Sequence, residues 1–280
     1  MKLDHRQIKT EINKNLKFRP DTDDDRIIIP DILGRNIFRL DHLKNFYSKE
    51  KQNIIDCGAH IGIFTMLASY YFPEHKIHAF EPNTESFNLL KINTKNRKNV
   101  VVIQKGVGYK NSVEKLYKPT ALEHNGSWTL IPAGARYSIG ESFVEVKIID
   151  LYDYISKLKD PIFILKLDLE GFEAKIINKF PDVLLKKIKI ILLEEHEIPI
   201  NHKKLNDNNF IVAFNPSNSI RQFVYVNTYN NIEVIKECFD MFRTVTFENY
   251  REKYKILESE LESSKKKYTQ RIRQFLKLNL

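Results

Sequence analysis

The stretch NIIDCGAHIGIFTMLASYY, at residues 53–71, joins a short apolar segment directly to an apolar helical pattern. The apolar segment has the length of a buried strand, and Asp56 lies at its end. Gly58 permits a tight turn, and Gly62 allows the start of the helix to pack close to a ligand. We therefore predict a strand, a glycine turn and a helix, with the Asp56 carboxylate reaching a ligand-binding crevice.

The spacing of the glycine turn indicates the kind of ligand. A helix N-terminus favours an anionic group, but this turn departs from the dinucleotide fingerprint G-x-G-x-x-G. Its spacing is D-x-G-x-x-x-G, with His60 between Gly58 and Gly62. This favours a ligand with both a carboxylate and an ammonium group, such as the methionine end of S-adenosylmethionine. A strand-turn-helix unit that binds no ligand is the alternative.

A second acid follows at a distance that suits a nucleoside. Glu81 closes the next apolar strand, in HAFEPN, and lies 19 residues after Gly62. An acid at this position hydrogen-bonds a ribose diol; a solvated glutamate is the alternative. We include Asn83 of the same segment among the cofactor-binding residues, and we expect Gly106 and Val107 to flank the adenine.

Beyond residue 50, short apolar runs alternate with helical patterns. The predicted strands are 53–56, 76–81, 100–105, 142–149, 161–167, 188–193, 210–214 and 222–226. The predicted helices are 61–71, 84–96, 150–158 and 172–179. This alternation predicts a parallel sheet covered on both faces by helices, in which ligands bind at the carboxyl ends of the strands.

Carboxylates and a histidine follow two of the later strands. KLDLEGFE places Asp168, Glu170 and Glu173 after a fully apolar strand, and LEEHE places Glu195 and His196 after the next one. Because neighbouring strand ends meet at one crevice, these groups can serve as a general base, as metal ligands, or as both. The alternative is that the acids cap the following helix, and for Glu173 we favour that interpretation.

The segments IDCGAHIGIFT, AFEPN and LKLDLEGFEAKII, in this order and spacing, resemble the FkbM family of S-adenosylmethionine-dependent methyltransferases. The resemblance covers roughly residues 50–200. It implies a class I methyltransferase fold, which is an α/β, Rossmann-like fold with seven mostly parallel strands and an antiparallel last strand pair. It also implies O-methylation, often of sugar or polyketide hydroxyls. This chain departs from the family at His60, where members often have Asn, and in the helix KIINKF, which lacks the usual glycine.

The expected chemistry is methyl transfer from a sulfonium to a hydroxyl oxygen. Because an alcohol is a poor nucleophile until it loses its proton, a base is useful. Asp168 matches the KxDxEG motif of the family that the chain resembles. His196 has a side chain whose ordinary pKa suits a base near neutral pH. Asp168 and His196 are therefore the leading catalytic candidates.

The remaining catalytic candidates are Glu195 and His124. Glu195 would orient His196 or join Asp168 on a metal ion, and Mg²⁺ bound there would lower the pKa of the hydroxyl. Strict alternation along a strand, however, points Glu195 and His196 to opposite faces of the sheet. His124 lies in HNGSW, which resembles a family region between the third and fourth strands, and its loop could fold over the acceptor.

Composition and pattern divide the chain into three parts. Of its 280 residues, 42% are hydrophobic, which is enough for a sizeable core. We predict a helical lead-in at 1–50, the methyltransferase domain at 51–245 and a C-terminal helix at 246–280. The acid-rich segment 21–25 is interpreted as a solvated loop or a helix start, not as a metal site. Two cysteines indicate a reducing compartment, and we expect a cytoplasmic protein, either free or peripheral to the inner face of a membrane.

The C-terminal segment is basic and has an imperfect heptad pattern. One seam consists of Tyr254, Leu261, Tyr268 and Phe275, and a second seam is interrupted by Ser264 and Arg271. The last sixteen residues include six basic residues and no acid. We expect this helix to mediate self-association as a coiled coil or docking to an anionic membrane surface. A helix packed on its own domain is the alternative.

The leading functional interpretation is an O-methyltransferase acting on a sugar or glycan. An RNA methyltransferase is the second; the net charge of +9 is compatible with nucleic acid, but no aromatic platform for single strands and no NPPY-type motif is recognisable. A polyketide-type small molecule is a further possible acceptor. The third interpretation is a non-catalytic assembly module, against which the intact Asp56, Gly58, Gly62, Glu81 and Asp168 argue.

Overall fold

The computed structural model describes most of the chain up to residue 228. The described residues are 5–35, 37–38, 40–44, 50–121, 124, 127–134, 138–196, 198–214 and 221–228. The coiled coil or membrane-surface helix predicted at 246–280 lies outside these residues. Within the described ranges, no helix combines the length and the apolar character needed to cross a membrane.

Helical segments precede the first strand. They are α1 (His5–Asn15), α2 (Asp23–Ile29), a π-helical segment (Pro30–Arg35) and α3 (Leu40–Leu43). α1 buries Ile8 and Ile12, which share a hydrophobic core with Ile32, Phe38 and the strand residue Ile54. Burial of each such side chain stabilises the fold by about 1.5–3 kcal/mol. The N-terminal helices therefore pack on the sheet and share its core.

The strands form two sheets. In chain order they are β1 (Asn53–Cys57), β2 (Lys76–Phe80), β3 (Val100–Ile103), β4 (Gly106–Gly108), β5 (Ser112–Pro119), β6 (Ile139–Asp150), β7 (Ile162–Leu167), β8 (Ile188–Glu195), β9 (Phe210–Phe214) and β10 (Arg221–Asn227). The main sheet has seven strands in the order β3-β2-β1-β7-β8-β10-β9. β10 runs antiparallel to both of its neighbours, β8 and β9. This is the mostly parallel sheet of the class I methyltransferase fold, and it confirms the predicted fold class.

Helices cover both faces of the main sheet. They are α4 (Ile63–Tyr71), α5 (Thr84–Thr94), α6 (Leu151–Ser156), α7 (Glu173–Lys179), α8 (Asp182–Leu185) and α9 (His202–Asp207). Successive strand residues point to opposite faces. Ile54 accordingly joins the core that contains α4 and the N-terminal helices, whereas Ile55 joins the core that contains α6 and α7. The apolar strands therefore form a sheet that is buried on both faces.

The helix after β1 begins later than the sequence pattern predicts. The predicted start was Ile61, but α4 begins at Ile63. His60 and Gly62 have positive φ values of 51° and 91°, and two left-handed residues prevent a right-handed helix from forming there. The turn is therefore longer, and it brings His60 to the sheet edge where ligands bind.

A three-stranded sheet with the order β4-β6-β5 accompanies the main sheet. Its longest strand, β6, contains the predicted half-exposed strand SFVEVKII. The sequence did not predict the other two strands. β4 has only the residues Gly106–Gly108, and β5 exposes three consecutive residues, Val113, Glu114 and Lys115. Neither strand has the apolar pattern of a buried strand.

Candidate active site

A cavity of about 430 Å³ lies where β1, β2, β7 and β8 end. Its volume is within the range of small-molecule sites, which is about 300–1,000 Å³. The predicted site residues that line it are Gly58, His60, Glu81, Gly106, Val107, Asp168 and His196. The other predicted residues, all of them described, are outside the lining: Asp56, Gly62, Asn83, His124 and Glu195. The sequence therefore located the cavity correctly but misjudged the direction of several side chains.

The glycine turn after β1 is in contact with the end of β7. Gly58 has a φ of 79°, and a Cβ placed on it would lie 1.8 Å from the carbonyl oxygen of Asp168. No side chain fits there, so the backbone itself forms this part of the cavity wall. The close approach brings the cofactor turn and the KLDLEGFE segment into one site.

Glu81 lies in the cavity where a ribose acid is expected. Its carboxylate accepts hydrogen bonds from the backbone N–H groups of His60 and Asn83, both at 2.8 Å. Burial raises the pKa of Glu81 to about 7, although these two hydrogen bonds favour the charged form. The carboxylate is thus fixed in one orientation, with acceptor capacity remaining for ligand hydroxyls.

Asn83 and Gly62 support the site from outside the cavity. The Asn83 side chain caps α5, because it accepts a hydrogen bond from Ser86 N–H at 3.0 Å. A Cβ on Gly62 would lie 2.7 Å from Leu90 Cδ1, so this glycine permits α4 to pack on α5. The close neighbour of Gly62 is therefore another helix, and Gly62 does not line the cavity.

Asp56 does not reach the crevice, contrary to our expectation. It is fully buried, and its carboxylate accepts a hydrogen bond from the Thr65 hydroxyl at 2.5 Å. Lys166 Nζ lies 3.4 Å from the other carboxylate oxygen. Asp56 is the next-to-last residue of β1, and its side chain contacts Thr65 and Lys166 instead of lining the cavity.

Lys166 connects three parts of the site, and the sequence analysis missed it. Its Nζ donates a hydrogen bond to the Gly58 carbonyl oxygen at 3.0 Å and lies 3.1 Å from Asp168 Oδ2. Burial disfavours the charge on Lys166, but the carboxylates of Asp168 and Asp56 outweigh it and raise its pKa. A lysine inside the apolar run PIFILKL was the signal that could have revealed this buried cation.

Asp168 is held as a carboxylate by its neighbours. Burial alone would raise its pKa, but Lys166 and His196 lower the pKa of Asp168 below its ordinary value. Its side chain is 18% exposed and lines the cavity. Asp168 is thus an anionic group on the cavity surface whose proton affinity is low.

His196 lies among three glutamates. Its Nδ1 is 3.0 Å from Glu173 Oε1, and its Nε2 is 3.4 Å from Glu170 Oε2 and 4.0 Å from Glu194 Oε1. Burial opposes the imidazolium, but these carboxylates, Glu173 above all, raise the pKa of His196 to about 11. The expectation that His196 accepts a proton near neutral pH is wrong, because the side chain already carries one.

Glu195 points away from the cavity. Its carboxylate accepts a hydrogen bond from Ile200 N–H at 2.8 Å and lies 3.4 Å from His202 Nε2. Alternation along β8 therefore separates Glu195 from His196, as the strand geometry implied. Glu195 can neither orient His196 nor share a metal ion with Asp168, so both of these suggestions are wrong.

Glu170 and Glu194 line the cavity beside His196. Glu170 was one of the candidate acids of KLDLEGFE, but neither residue was assigned a catalytic or binding role from the sequence. Burial raises the pKa of Glu170 to about 8; His196 opposes this shift, and the nearby carboxylates of Asp168 and Glu194 add to it. KLDLEGFE and LEEHE contained the signal for both residues. Which acids of each segment face the cavity depends on the turn geometry and on strand alternation, which the spacing does not give.

Asp168, Glu173 and His196 approach one another closely enough for their donor atoms to lie within 4.8 Å. They do not form a good Mg²⁺ site. Glu173 already accepts hydrogen bonds from Leu169 N–H and Gly171 N–H, and the third group is an imidazole, whereas Mg²⁺ prefers oxygen ligands and retained water. The Mg²⁺ ion suggested from the sequence is therefore not supported by the residues at this site.

His124 does not line the cavity, although its neighbours Ser127 and Trp128 do. Its backbone N–H donates to the Ala121 carbonyl at 3.2 Å, and its carbonyl accepts from Ser127 N–H at 3.0 Å. The turn around His124 thus positions Trp128. This arrangement therefore gives no support to the prediction that His124 is a catalytic residue.

The N-terminal helical segments form one wall of the cavity. Ile27, Ile28, Ile32, Ile37 and Phe38 line it together. The sequence analysis assigned no role in the site to these residues, because contacts between segments far apart in the chain leave no local pattern. The wall is mostly apolar, although Arg26 and Asp31 also belong to it, and it faces a cavity that carries carboxylates elsewhere.

A buried ion pair attaches this wall to the glycine turn. Asp25 is fully buried and accepts hydrogen bonds from Arg19, including one from Nη2 at 2.8 Å. His60 Nε2 lies 2.6 Å from Arg19 Nη2 and 3.2 Å from Asp25 Oδ1. Burial lowers the pKa of His60 to about 4, against the influence of Asp25. The acid-rich segment does start a helix, as predicted, but Asp25 is not solvated.

The sheet order, the glycine turn and the buried Glu81 carboxylate at the end of β2 are features of a class I, S-adenosylmethionine-dependent methyltransferase. The sequence model of the methyltransferase FkbM domain matches residues 56–277. The chain belongs to this family. No curated protein matches the chain.

Solved structures similar to this chain include three methyltransferases. TrmK from M. capricolum, in complex with S-adenosyl-homocysteine, is 9% identical, with a TM-score of 0.38 and coverage of 82% of this chain and 96% of that one. The METTL16 methyltransferase domain lacking its N-terminus is 10% identical, with a TM-score of 0.46 and coverage of 81% and 98%. A putative RNA methyltransferase from Pyrococcus horikoshii is 10% identical, with a TM-score of 0.40 and coverage of 80% and 98%.

Proposed function

We propose that this protein is an S-adenosylmethionine-dependent O-methyltransferase that methylates a hydroxyl of a sugar or glycan. The observation that carries the proposal is that one cavity contains both a donor half and an acidic half. Gly58 and Glu81 belong to the donor half, and Asp168, Glu170 and His196 belong to the acidic half. A hydroxyl must lose its proton to become a good nucleophile, and carboxylates at this end are suited to that step.

The residues of the donor half fit S-adenosylmethionine, which supplies an electrophilic methyl group when bound. The Gly58 turn has room for backbone alone, so a ligand can approach the peptide groups at the end of β1. Glu81, whose two oxygens are already fixed by backbone N–H groups, would accept hydrogen bonds from the ribose hydroxyls. Gly106 and Val107 would support the adenine from β4.

The charge of the acidic half favours a sugar over RNA as the acceptor. Asp168, Glu170 and Glu194 all line this end of the cavity. The anionic Asp168 and Glu194 would repel a phosphate group placed beside them, although His196 in the same half is cationic; a sugar hydroxyl carries no charge. Arg26 and Lys105 also line the cavity, so this repulsion is a property of the acidic half and not of the whole cavity.

A polyketide-type small molecule is the second candidate acceptor. The N-terminal wall supports it, because Ile28, Ile32 and Phe38 line the cavity together with Trp128 and Leu130. Apolar walls with a few polar groups are typical of small-molecule sites. A sugar ring also has an apolar face, so the wall is compatible with both candidates.

A donor-labelled transfer assay tests the proposal. The purified protein is incubated with methyl-labelled S-adenosylmethionine and, in parallel, with glycan, lipid and RNA fractions from cells. We expect label in the glycan fraction. Label in an organic-soluble small molecule would support the second candidate, and label confined to RNA would contradict both. The absence of label everywhere, together with no S-adenosylhomocysteine binding in calorimetry, would reject the enzyme assignment.

A further inference from the structure

The backbone of Glu170 has a conformation that is uncommon for its residue type. Glu170 has a φ of 50°, and the next residue, Gly171, has a φ of 99°. A left-handed glycine is ordinary, but a glutamate in this region is rarely observed. Residues held in sparsely populated conformations cluster at functional sites, where the surrounding structure enforces them.

Three hydrogen bonds hold this backbone conformation. The Glu173 carboxylate accepts the N–H of Leu169 with one oxygen and the N–H of Gly171 with the other. The Thr129 hydroxyl donates to the Glu170 carbonyl at 2.6 Å. Both Glu173 and Thr129 are buried. The peptide group between Glu170 and Gly171 and the one between Asp168 and Leu169 are therefore fixed by side chains that do not line the cavity.

The result is that the Glu170 side chain enters the cavity beside an oriented imidazolium. Its side chain is 22% exposed, and its Oε2 lies 3.4 Å from His196 Nε2. The same Glu173 that fixes the backbone also lies 3.0 Å from His196 Nδ1. The buried Glu173 carboxylate thus positions both Glu170 and His196, and Thr129 fixes the carbonyl group of Glu170.

The other candidates for receiving a proton have different partners. Asp168 is paired with the buried ammonium of Lys166 at 3.1 Å, which stabilises its anionic form. His196 has carboxylates at both ring nitrogens and already carries its proton. Glu170 faces Asp168 and Glu173 on its own segment, and Glu194 and His196 at the end of β8. Burial raises the pKa of Glu170 to about 8, and the nearby carboxylates add to the shift. Its ionised form, whose fraction grows as the pH rises through that value, is therefore a stronger base than the carboxylate of Asp168.

We propose that Glu170 receives the proton of the acceptor hydroxyl, with Glu173 and Thr129 acting as positioning residues. This inference rests on the proposed function. In the step, the hydroxyl O–H bond breaks and its proton passes to a Glu170 oxygen, while the hydroxyl oxygen forms the new bond to the methyl carbon. The bond between sulfur and the methyl carbon breaks, and its electron pair stays on sulfur as a neutral thioether. Glu170 then releases the proton to solvent.

Two variants at this residue separate the proposed role from a structural one. Glu170→Gln removes the proton acceptor with little change in shape. Glu170→Asn also removes it, but Asn tolerates a left-handed backbone well, so the loop should hold its conformation with less strain. Glu145→Gln, an exposed position on β6, is the matched control. The measurements are the melting temperature, the affinity for S-adenosylhomocysteine, and methyl transfer to whichever cell fraction the wild-type protein labels.

We expect both Glu170 variants to lose at least about 10²-fold in transfer rate and to bind S-adenosylhomocysteine within about threefold of the wild-type affinity. The Asn variant should melt no lower than the wild type, so stability and transfer change independently. Transfer within about tenfold of wild type in either variant would overturn the role of Glu170. A loss of cofactor affinity parallel to the loss of transfer would also overturn it. If the wild type itself labels no fraction, the proposed function fails instead, and this inference fails with it.

Discussion

Gly58 and Asp168 meet so closely that a Cβ on residue 58 would lie 1.8 Å from the Asp168 carbonyl oxygen. This contact joins the turn after β1 to the turn after β7, and the cavity lies along both turns. The packing of these two turns, which are distant in sequence, therefore requires a glycine at position 58.

Replacement of this glycine should destabilise the protein. Gly58→Ala adds a Cβ against a backbone atom at a φ of 79°, so we expect a loss of about 2–5 kcal/mol in the free energy of unfolding. Urea denaturation measures it. Gly34→Ala is the control, because there the nearest atom to the new Cβ is 3.7 Å away. Equal stability of the two variants would contradict the tight packing described at the turn.

Removal of the ribose acid should weaken cofactor binding. Glu81→Ala removes the proposed acceptor for the ribose hydroxyls, whose hydrogen bonds would each be worth about 1 kcal/mol or more when charged, and it leaves two backbone N–H groups without their acceptor. We expect at least about a tenfold loss in S-adenosylhomocysteine affinity by calorimetry. Glu74→Ala, at an exposed position, is the control. An unchanged affinity in Glu81→Ala would remove this residue from the donor site.

Neutralisation of the buried lysine should be costly. Lys166→Met leaves Asp56 and Asp168 without their shared cation, and breaking such a buried pair typically costs about 3–5 kcal/mol. The double variant Lys166→Met/Asp56→Asn should recover part of this loss, because it removes one of the two unpaired charges. Denaturation of the single and double variants measures the coupling. If the double variant is less stable than Lys166→Met, charge imbalance is not the cause.

The histidine in the glycine turn should make the fold sensitive to acid. The folded pKa of His60 is lowered to about 4 by burial, against an ordinary value of about 6.5. The unfolded chain therefore binds a proton more readily, so the contribution of neutral His60 to stability is full above pH 6.5 and is lost as the pH falls towards 4.

His60→Asn should reduce this sensitivity while keeping the left-handed turn, which Asn tolerates. The measurement is the fall in melting temperature between pH 7.5 and pH 5, which should be smaller in the variant than in the wild type. The pKa of His78 is likewise lowered, to about 4, by burial, so some acid sensitivity should remain. An identical fall in both proteins would show that His60 does not titrate in this range.

Most of the fold could be predicted from hydrophobic periodicity and from the residues at which the strands end. The apolar runs at 53–57 and 162–167 are buried on both faces, so they leave a clear signal of adjacent parallel strands. Glu81 and Asp168 were correctly placed in the cavity for the same reason, since each directly follows a strand. β5 escaped prediction because its exposed residues obey no simple alternation.

The electrostatic character of the site could not be predicted from spacing. His196 was expected to be a base because its sequence neighbours do not reveal that Glu170 and Glu173 approach both ring nitrogens. Asp56 was expected in the crevice because one residue of uncertainty at a strand end reverses the direction of a side chain. Such features depend on contacts between segments that only the folded chain brings together.

The match to the FkbM domain begins at residue 56, yet Ile27, Ile28 and Phe38 form a wall of the same cavity. This wall is anchored by the contact of Asp25 and Arg19 with His60. A protein fragment cut just before β1 would therefore keep the glycine turn and the acidic end but expose the cavity on one side. Exchange of the preceding segment between relatives would be a direct way to alter acceptor choice while leaving the chemistry in place.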